Sequence, residues 1–457
     1  MLLERTNEYK TEVMDHHGLV AAVSRDLGIA EKINRRIGSK DPRRVVQPGL
    51  ACVAMIINGL GFTNRRLYLT PQFFQSKAVN VLFEENITAQ DLNENALGKA
   101  LDEIFAYGTS KLYGEVAFEI AMEQGILDKK NHLDTTSFNL HGAYEDDSPS
   151  YGIEVVHGYS KDKRPDLKQV MLSLTMNGPA NIPIWMEPLD GNSSDKTNFH
   201  ETIARVNAFK KQLQACDDFF WIADSALYSG EKLLACPNVI WLSRVPENIK
   251  ECVKLVSLKS EDLAWTLGEN GYRWSEFCST YGGINQRWLL VHSDQAYERE
   301  KKTLAKQIEK ESQEISKSCL HLGHKLFGCS KDAEKEVGRL QKKSRYHLIE
   351  YTIEAIEKYE CRGRPNPQTP KVLQGYQVVC HIIKNEIAIE ETLRKKGRFV
   401  LATNQLDHTQ LPSEKILDQY KAQQNVEGGF RFLKDPWFML DSFFVKTRER
   451  IEALMMV

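Results

Sequence analysis

The spacing of apolar and polar positions changes along the chain. Over residues 12–106 it is helical, with Leu19, Val20, Val23, Leu27 and the small Ala30 on one stripe. Pro48 opens a second helix inside VVQPGLACVAMIINGLGF, residues 45–62, which is uncharged for 18 residues. Gln47, Pro48, Asn58 and three glycines make this stretch a buried core helix, not a membrane span. From 131 to 246 the period shortens and β-type runs recur: HLDTTSFNL, YGIEVVHGY, QVMLSLTM, IPIWMEPL, FFWIADSAL and VIWLSRVP. A helical segment, TNFHETIARVNAFKKQ, stands between the fourth and fifth, and a short one, EKLLAC, between the fifth and sixth. Strands followed by alternating helix and strand predict an α/β sheet.

Residues 247–397 interrupt that sheet. YRWSEFCSTYGGINQRWLLVHS carries two β-like runs around Gly282 and Gly283, a hairpin signal. Residues 294–360 hold 14 Lys/Arg and 13 Asp/Glu, which predicts a solvated helical hairpin with charge pairs along its faces. CRGRPNPQTP is a loop, and GRFVLATN is a last β-like run before a final helix. The expected domains are a helical one at 1–125, the first part of an α/β core at 126–246, an insertion at 247–404, and a closing helical segment at 405–457.

Charge narrows the function classes. The net charge of −2 over 457 residues excludes a uniformly basic shell, so any nucleic-acid surface is local. Residues 28–66 hold eight Lys/Arg against two acids. Arg35, Arg36, Arg43 and Arg44 lie there, either as a solvated helix-loop face or as a contact surface for the DNA backbone. Nine widely spaced cysteines without a C-x-x-C motif fit a reducing cytosol and no zinc module. MLLERTNEYK is too charged for a signal peptide, and SFFVKTRERIEALMMV stops inside an apolar helical pattern, as either a chain cut short or a closing helix docked on the core would.

The candidate chemistry rests on carboxylates. Asp134 sits inside a β-type run, where strands disfavour aspartate, and Asp224 ends the apolar run FFWIA. Each alone would be a turn or cap residue; two on separate strands of one sheet suggest a presented acid pair. A third acid, Glu427, lies in SEKILDQYKAQQNVEGGFRFLKDP, expected as one helix over 413–436. Tyr420, Glu427 and Lys434 are spaced by seven, nearly two turns, so they share a face, with Gln423, Gln424 and Arg431 close to it. Three converging carboxylates with no His or Cys pair favour Mg²⁺ or Mn²⁺, and two such ions suit in-line phosphoryl transfer.

At these residues the chain resembles a bacterial or archaeal insertion-sequence transposase of the DDE type. It looks like the branch with a Tyr-x2-Arg-x3-Glu-x6-Lys signature and a long insertion before the catalytic Glu. Tyr420, Glu427 and Lys434 keep that spacing, and Gln423 stands where the branch has Arg. GYSKDKRPDLKQVMLSLTMN, PLDGNSSDKTNF, WIADSALYS, WLSRVP and FRFLKDP also match, in order, and 202 residues separate Asp224 from Glu427. The resemblance implies a ribonuclease-H-like α/β core, interrupted by a mixed β/helical insertion and preceded by a mainly helical N-terminal domain. It implies that Asp134, Asp224 and Glu427 bind two Mg²⁺ or Mn²⁺ ions and catalyse DNA cleavage and strand transfer. Tyr420, Arg431 and Lys434 would contact DNA near the cleaved phosphate. Lys161, Arg164 and Lys168, in a loop before a strand, are either further DNA contacts or a plain hairpin turn, and Arg244 is another candidate. The implied partners are double-stranded DNA, as terminal inverted repeats and target, and a second copy of the chain, with no membrane and no small-molecule substrate. The implied location is the cytoplasm, at the nucleoid. The competing expectation is a truncated, catalytically inactive remnant that still binds element DNA.

Overall fold

A computed structural model of the chain describes residues 12–60, 67–144, 151–160, 163–179, 181–193, 195–212, 219–235, 238–360, 364, 366–423, 430, 445 and 447–457. The chain divides into two units, Met1–Arg244 with Ser279–Gln286 and Thr403–Val457, and Val245–Cys278 with Arg287–Ala402.

The first unit begins with helices α1 (His17–Asp26), α2 (Ile29–Ile37), α3 (Pro48–Gly59), α4 (Thr70–Phe74), α5 (Val79–Phe83), α6 (Glu94–Tyr107) and α7 (Thr109–Glu123). Pro48 takes the first position of α3, where its missing N–H costs nothing. Leu50, Cys52, Val53, Met55 and Ile57 are all buried, so the apolar stretch is a core helix as expected. Among the described residues no helix is long and apolar enough to cross a membrane. Asn93 starts α6 by accepting the N–H groups of Asn95 and Ala96, each at 3.1 Å.

The α/β core follows, with β1 (Lys130–Leu140), β2 (Lys168–Asn177), β3 (Ile182–Leu189), α8 (Asp195–Gln212), β4 (Phe220–Ala223), α9 (Gly230–Ala235) and β5 (Ile240–Arg244). The strand order is β3-β2-β1-β4-β5. β1, β2 and β3 are antiparallel neighbours, while β4 runs parallel to β1 and β5 parallel to β4. This order and these directions are those of the ribonuclease-H-like core. Strand alternation gives the sheet two different faces. On one, Trp185 and Glu187 of β3 meet α7 and α8. The buried Glu187 accepts from Trp185 Nε1 at 2.9 Å, from Thr202 Oγ1, and from Arg205 Nε and Nη2 at 2.7 and 3.0 Å, which fixes α8 to β3. On the other face Phe138, Leu172, Leu174, Met176 and Met186 form an apolar cluster with Ile153, Val155, Phe430 and Ile451.

One expected strand is absent. YGIEVVHGY is irregular, and only Val156 bridges to Gln169. Its apolar residues signal burial correctly, since Ile153 and Val155 join the cluster, but the segment caps the sheet face without extending the ladder.

The second unit contains α10 (Lys250–Val256), β6 (Thr266–Leu267), β7 (Tyr272–Ser279), β8 (Gln286–Ser293), α11 (Asp294–Gly323), α12 (Ser330–Lys343), β9 (His347–Tyr359), β10 (Lys371–Lys384), α13 (Glu386–Lys395) and β11 (Arg398–Thr403). Its strands run in the order β11-β8-β7-β6, and β9 pairs with β10 as a separate antiparallel ribbon. The hairpin expected around Gly282 and Gly283 is β7–β8. The helical hairpin expected over 294–360 needs correction: helix stops at Lys343, and 347–359 is a strand. Balanced charge concealed a period of two. Ile349 and Ile353 of β9 and Val378 of β10 pack with Ile315, Cys319 and Val337 of the helices, while Glu350 and Glu354 point away.

His292 of β8 gives this unit an acid sensitivity. It is buried, with the rings of Trp265 and Tyr297 at 6.2 and 5.7 Å. Burial first, then the Arg273 and Arg398 cations, hold its imidazole down at about 4 against the ordinary 6.5, despite Asp294 Oδ1 at 3.3 Å. Between these values the unfolded chain binds a proton that the folded unit refuses. The contribution is therefore complete above pH 6.5 and is lost as pH falls to about 4. Urea unfolding should lose up to roughly 3 kcal/mol from this group between neutral pH and pH 4. His292→Asn should flatten that part of the curve, and parallel curves for the two proteins would contradict the assignment.

Two further helices, α14 (Ser413–Lys421) and α15 (Arg448–Leu454), return to the first unit. α14 packs on β4 and β5, and α15 on α6, with Ile451 and Ala453 buried. α14 closes at Lys421, with a turn over Ala422 and Gln423, so the expected single helix over 413–436 is corrected at that point.

Candidate active site

The site begins with strand register. β1 and β4 pair in parallel from Lys130 opposite Phe220 to Leu133 opposite Ala223. β4 and β5 pair in parallel from Phe220 opposite Ile240 to Ala223 opposite Ser243. The next residue on each of the three strands is Asp134, Asp224 and Arg244. Two aspartates and an arginine thus follow the last paired row of three neighbouring parallel strands. Neighbouring strands lie about 4.8 Å apart, and residues in one row of a parallel ladder project to the same face. Asp134 stands opposite Leu174 of β2, so that face is the one bearing the apolar cluster with Phe138, Leu174 and Phe430.

Both carboxylates are half-buried, and each accepts a backbone N–H from just beyond it in the chain. Asp134 Oδ1 accepts from the Thr135 N–H at 2.7 Å, and Asp224 Oδ1 from the Ala226 N–H at 2.8 Å. β4 stops at Ala223, so Asp224 begins a turn that its own side chain closes. Ser243 Oγ donates to the Asp224 carbonyl at 2.7 Å, tying the end of β4 to β5. Sequence reasoning passed over Ser243, whose only signal is its place in WLSR. It also passed over His132, buried on the Asp134 side of β1. Burial chiefly, with Lys130 adding, holds that imidazole at about 4, so it brings no charge to the carboxylates near neutral pH.

Like charges on adjacent strands repel unless a cation lies between them. Fixed, half-buried carboxylate oxygens suit a hard divalent ion such as Mg²⁺ or Mn²⁺. Among the described residues no group of three His, Cys, Asp or Glu converges, so the site as described comprises two acids. Glu427 lies outside the described residues, as do Arg431, Lys434 and Lys161. Tyr420 is half-buried in the last turn of α14, and Gln423 just beyond it is buried.

The other candidates are spread more widely. Lys168 opens β2 opposite Leu140, six residues along the ladder from Leu174, which is about 20 Å from the level of Asp134. Its Nζ donates to the Ala143 carbonyl. Arg164 is exposed and pairs with Asp166 at 2.7 Å, and that contact pulls the Asp166 carboxyl down to about 2. In the N-terminal helices Arg36 bonds Glu115 and Glu119 at 2.6 and 2.8 Å, and Arg44 bonds Glu103 at 2.5 Å, both with little exposure. These two hold helices together. Arg35 and Arg43 also pair, with Glu119 and Asp41 at 2.9 Å each, but remain largely exposed.

A family described as a domain of unknown function (DUF4277) matches residues 9–118, and one described as the transposase DDE domain matches residues 132–457. No curated protein matches. Among solved structures, the cryo-EM structure of a piggyBac transposase synaptic complex with hairpin DNA is similar at 9% identity and a TM-score of 0.29. That similarity covers 63% of this chain and 61% of the other, so less than two thirds of the length of that protein is spanned. The family match extends over more than half of the sequence, from β1 to the last residue: the chain belongs to the DDE transposase family.

Proposed function

We propose that the chain cuts DNA at the ends of an insertion sequence and joins those ends to target DNA, with Asp134, Asp224 and Glu427 holding two Mg²⁺ or Mn²⁺ ions. The observation that carries this is the row of Asp134 and Asp224 past the paired ends of β1 and β4, on one face of the sheet. Phe430, three residues beyond Glu427, is buried in the apolar cluster on that face, which favours Glu427 as the third acid. When bound, such ions activate an attacking oxygen and stabilise the leaving one. The chain's own part is to hold the acids still through Thr135, Ala226 and Ser243, and to set Arg244 beside Asp224 as a cation for a nearby phosphate.

Tyr420, Arg431 and Lys434 would contact the DNA end, with Arg164, Lys161 and Lys168 further along the duplex. In the N-terminal domain, proposed here to bind the transposon end, Arg35 and Arg43 are the better-exposed contacts. The working form is a homodimer bridging two terminal inverted repeats.

The test is cleavage of a labelled duplex carrying the element's terminal repeat, with Mg²⁺ or Mn²⁺, for wild type and Glu427→Gln. Metal-dependent cutting at the repeat end, lost in the variant, is expected. Binding without cutting by folded wild-type protein would leave a DNA-binding remnant and remove the catalytic reading.

A further inference from the structure

Helix α11 carries six Lys/Arg and six Asp/Glu, and in sequence they look balanced. In the structure they separate in part: Glu298, Glu309 and Glu314 stay exposed, Glu309 at the edge of the outward cations, while the other three acids bond elsewhere in the unit. Asp294 lies near His292 and Arg273, at 3.3 and 4.0 Å, Glu300 bonds Lys396 at 3.6 Å, and Glu311 bonds His347 at 3.0 Å along with the chain entering β9. Half of the acids are therefore turned onto their own unit. Of the cations, Lys301 and Lys310 pair within the helix, with Glu298 and Glu314 at 4.0 and 3.8 Å. Arg299, Lys302, Lys306 and Lys317 are exposed and have no ion pair among the described residues.

These four do not scatter around the helix. Steps of three, four and eleven residues keep them within roughly 60° of one another, at about 100° per residue. They lie across the helix from the buried Leu304, Ile315 and Cys319. The stripe from Arg299 to Lys317 is about 27 Å long at a rise of about 1.5 Å per residue. That equals the axial length of roughly eight base pairs of duplex, which carries one phosphate charge per about 1.7 Å.

We infer that this outward stripe of α11 is a docking surface for the phosphate backbone of double-stranded DNA. This rests on the transposase reading, which supplies DNA as the polyanion, and it adds a contact surface in the second unit. Lysine and arginine spaced along a straight helix neutralise phosphates and read no bases. Binding here is therefore independent of sequence and falls steeply with salt.

The experiment is a salt titration of duplex binding by the full chain. It compares wild type, the variant Arg299→Gln/Lys302→Gln/Lys306→Gln/Lys317→Gln, and a control of equal net charge, Lys254→Gln/Lys259→Gln/Lys358→Gln/Lys371→Gln. The stripe variant should bind about 10- to 100-fold more weakly at low salt, with a slope of log K against log salt smaller by about 2–4. The control should stay within a few-fold of wild type. An unchanged affinity and slope in the stripe variant, or an equal loss in the control, would overturn the assignment and leave the transposase reading intact. Failure of wild-type protein to bind any duplex would overturn both. All eight positions are exposed, and circular dichroism checks that each variant folds.

Discussion

Asp134→Asn should reduce metal-dependent DNA cleavage by at least about 1000-fold while leaving the fold intact, and Asp224→Asn should do the same. Asparagine keeps the shape of aspartate and its Oδ1, so the 2.7 Å bond from Thr135 N–H survives. What it removes is one of two negative charges on neighbouring strands. That has a second consequence, opposite in sign to a loss of structure. Two carboxylates on neighbouring strands, about 4.8 Å apart in a sheet, repel by on the order of 1 kcal/mol, which Arg244 beside Asp224 offsets in part. Metal-free Asp134→Asn should therefore be as stable as wild type or slightly more so. Wild type should gain stability when Mn²⁺ is added, by mass action on the folded state, and the variant should lose that gain. Thermal unfolding with and without Mn²⁺ separates the cases. A variant that melts lower without metal and keeps the Mn²⁺ increment would mean that Asp134 is a strand-positioning residue and not a metal ligand.

The legibility of this site was uneven, for identifiable reasons. Asp134 and Asp224 could be picked out because strands disfavour aspartate, so each contradicts its local pattern. That they occupy one row could not be read from the sequence. Register depends on pairing between segments 90 residues apart, and a slip of one residue would put the two acids on opposite faces. Arg244 joined the candidates only as the residue after a strand, and its place beside Asp224 comes from the same register. The order of strands and helices in the core was legible because short apolar runs alternate with helical periodicity. The β9–β10 ribbon was hidden, because one of its faces is exposed and carries Glu350 and Glu354. Composition alone gave those charges to a helix. The basic segment of the N-terminal domain illustrates the reverse limit. Eight cations close in sequence suggested one surface, yet Arg36 and Arg44 meet carboxylates from α6 and α7, more than 50 residues away, and are spent on packing.

Gly191→Ala should cost about 3 kcal/mol or more, and should also displace the basic loop that precedes β2. The reason lies in three chain segments that meet with no room for a side chain. A Cβ on Gly191 would come within 1.9 Å of the Gln169 carbonyl oxygen and 2.6 Å of that of Val156. A Cβ on Gly158 would come within 2.0 Å of the Gly191 carbonyl oxygen. The obstacles are backbone atoms, so no rotamer change relieves them. The contacts at stake are specific: the Gly191 N–H donates to the Glu154 carbonyl at 2.9 Å, and Gln169 Nε2 donates to the Gly191 carbonyl at 2.6 Å. Gln169 and Val156 also exchange both backbone bonds, at 2.9 and 3.3 Å. This lock fixes where the chain leaves toward Lys163 and Arg164 and where it re-enters the sheet at Lys168. It also explains why PLDGNSSDKTNF and GYSKDKRPDLKQ each place a glycine at that point. Urea unfolding should show the stability loss, and binding of duplex DNA by the folded fraction should weaken with it. Pro188→Ala, in the same stretch but outside the lock, should change neither by much. A Gly191→Ala protein with wild-type stability would show that the three segments can part without loss, and the lock would then have no role in holding the loop.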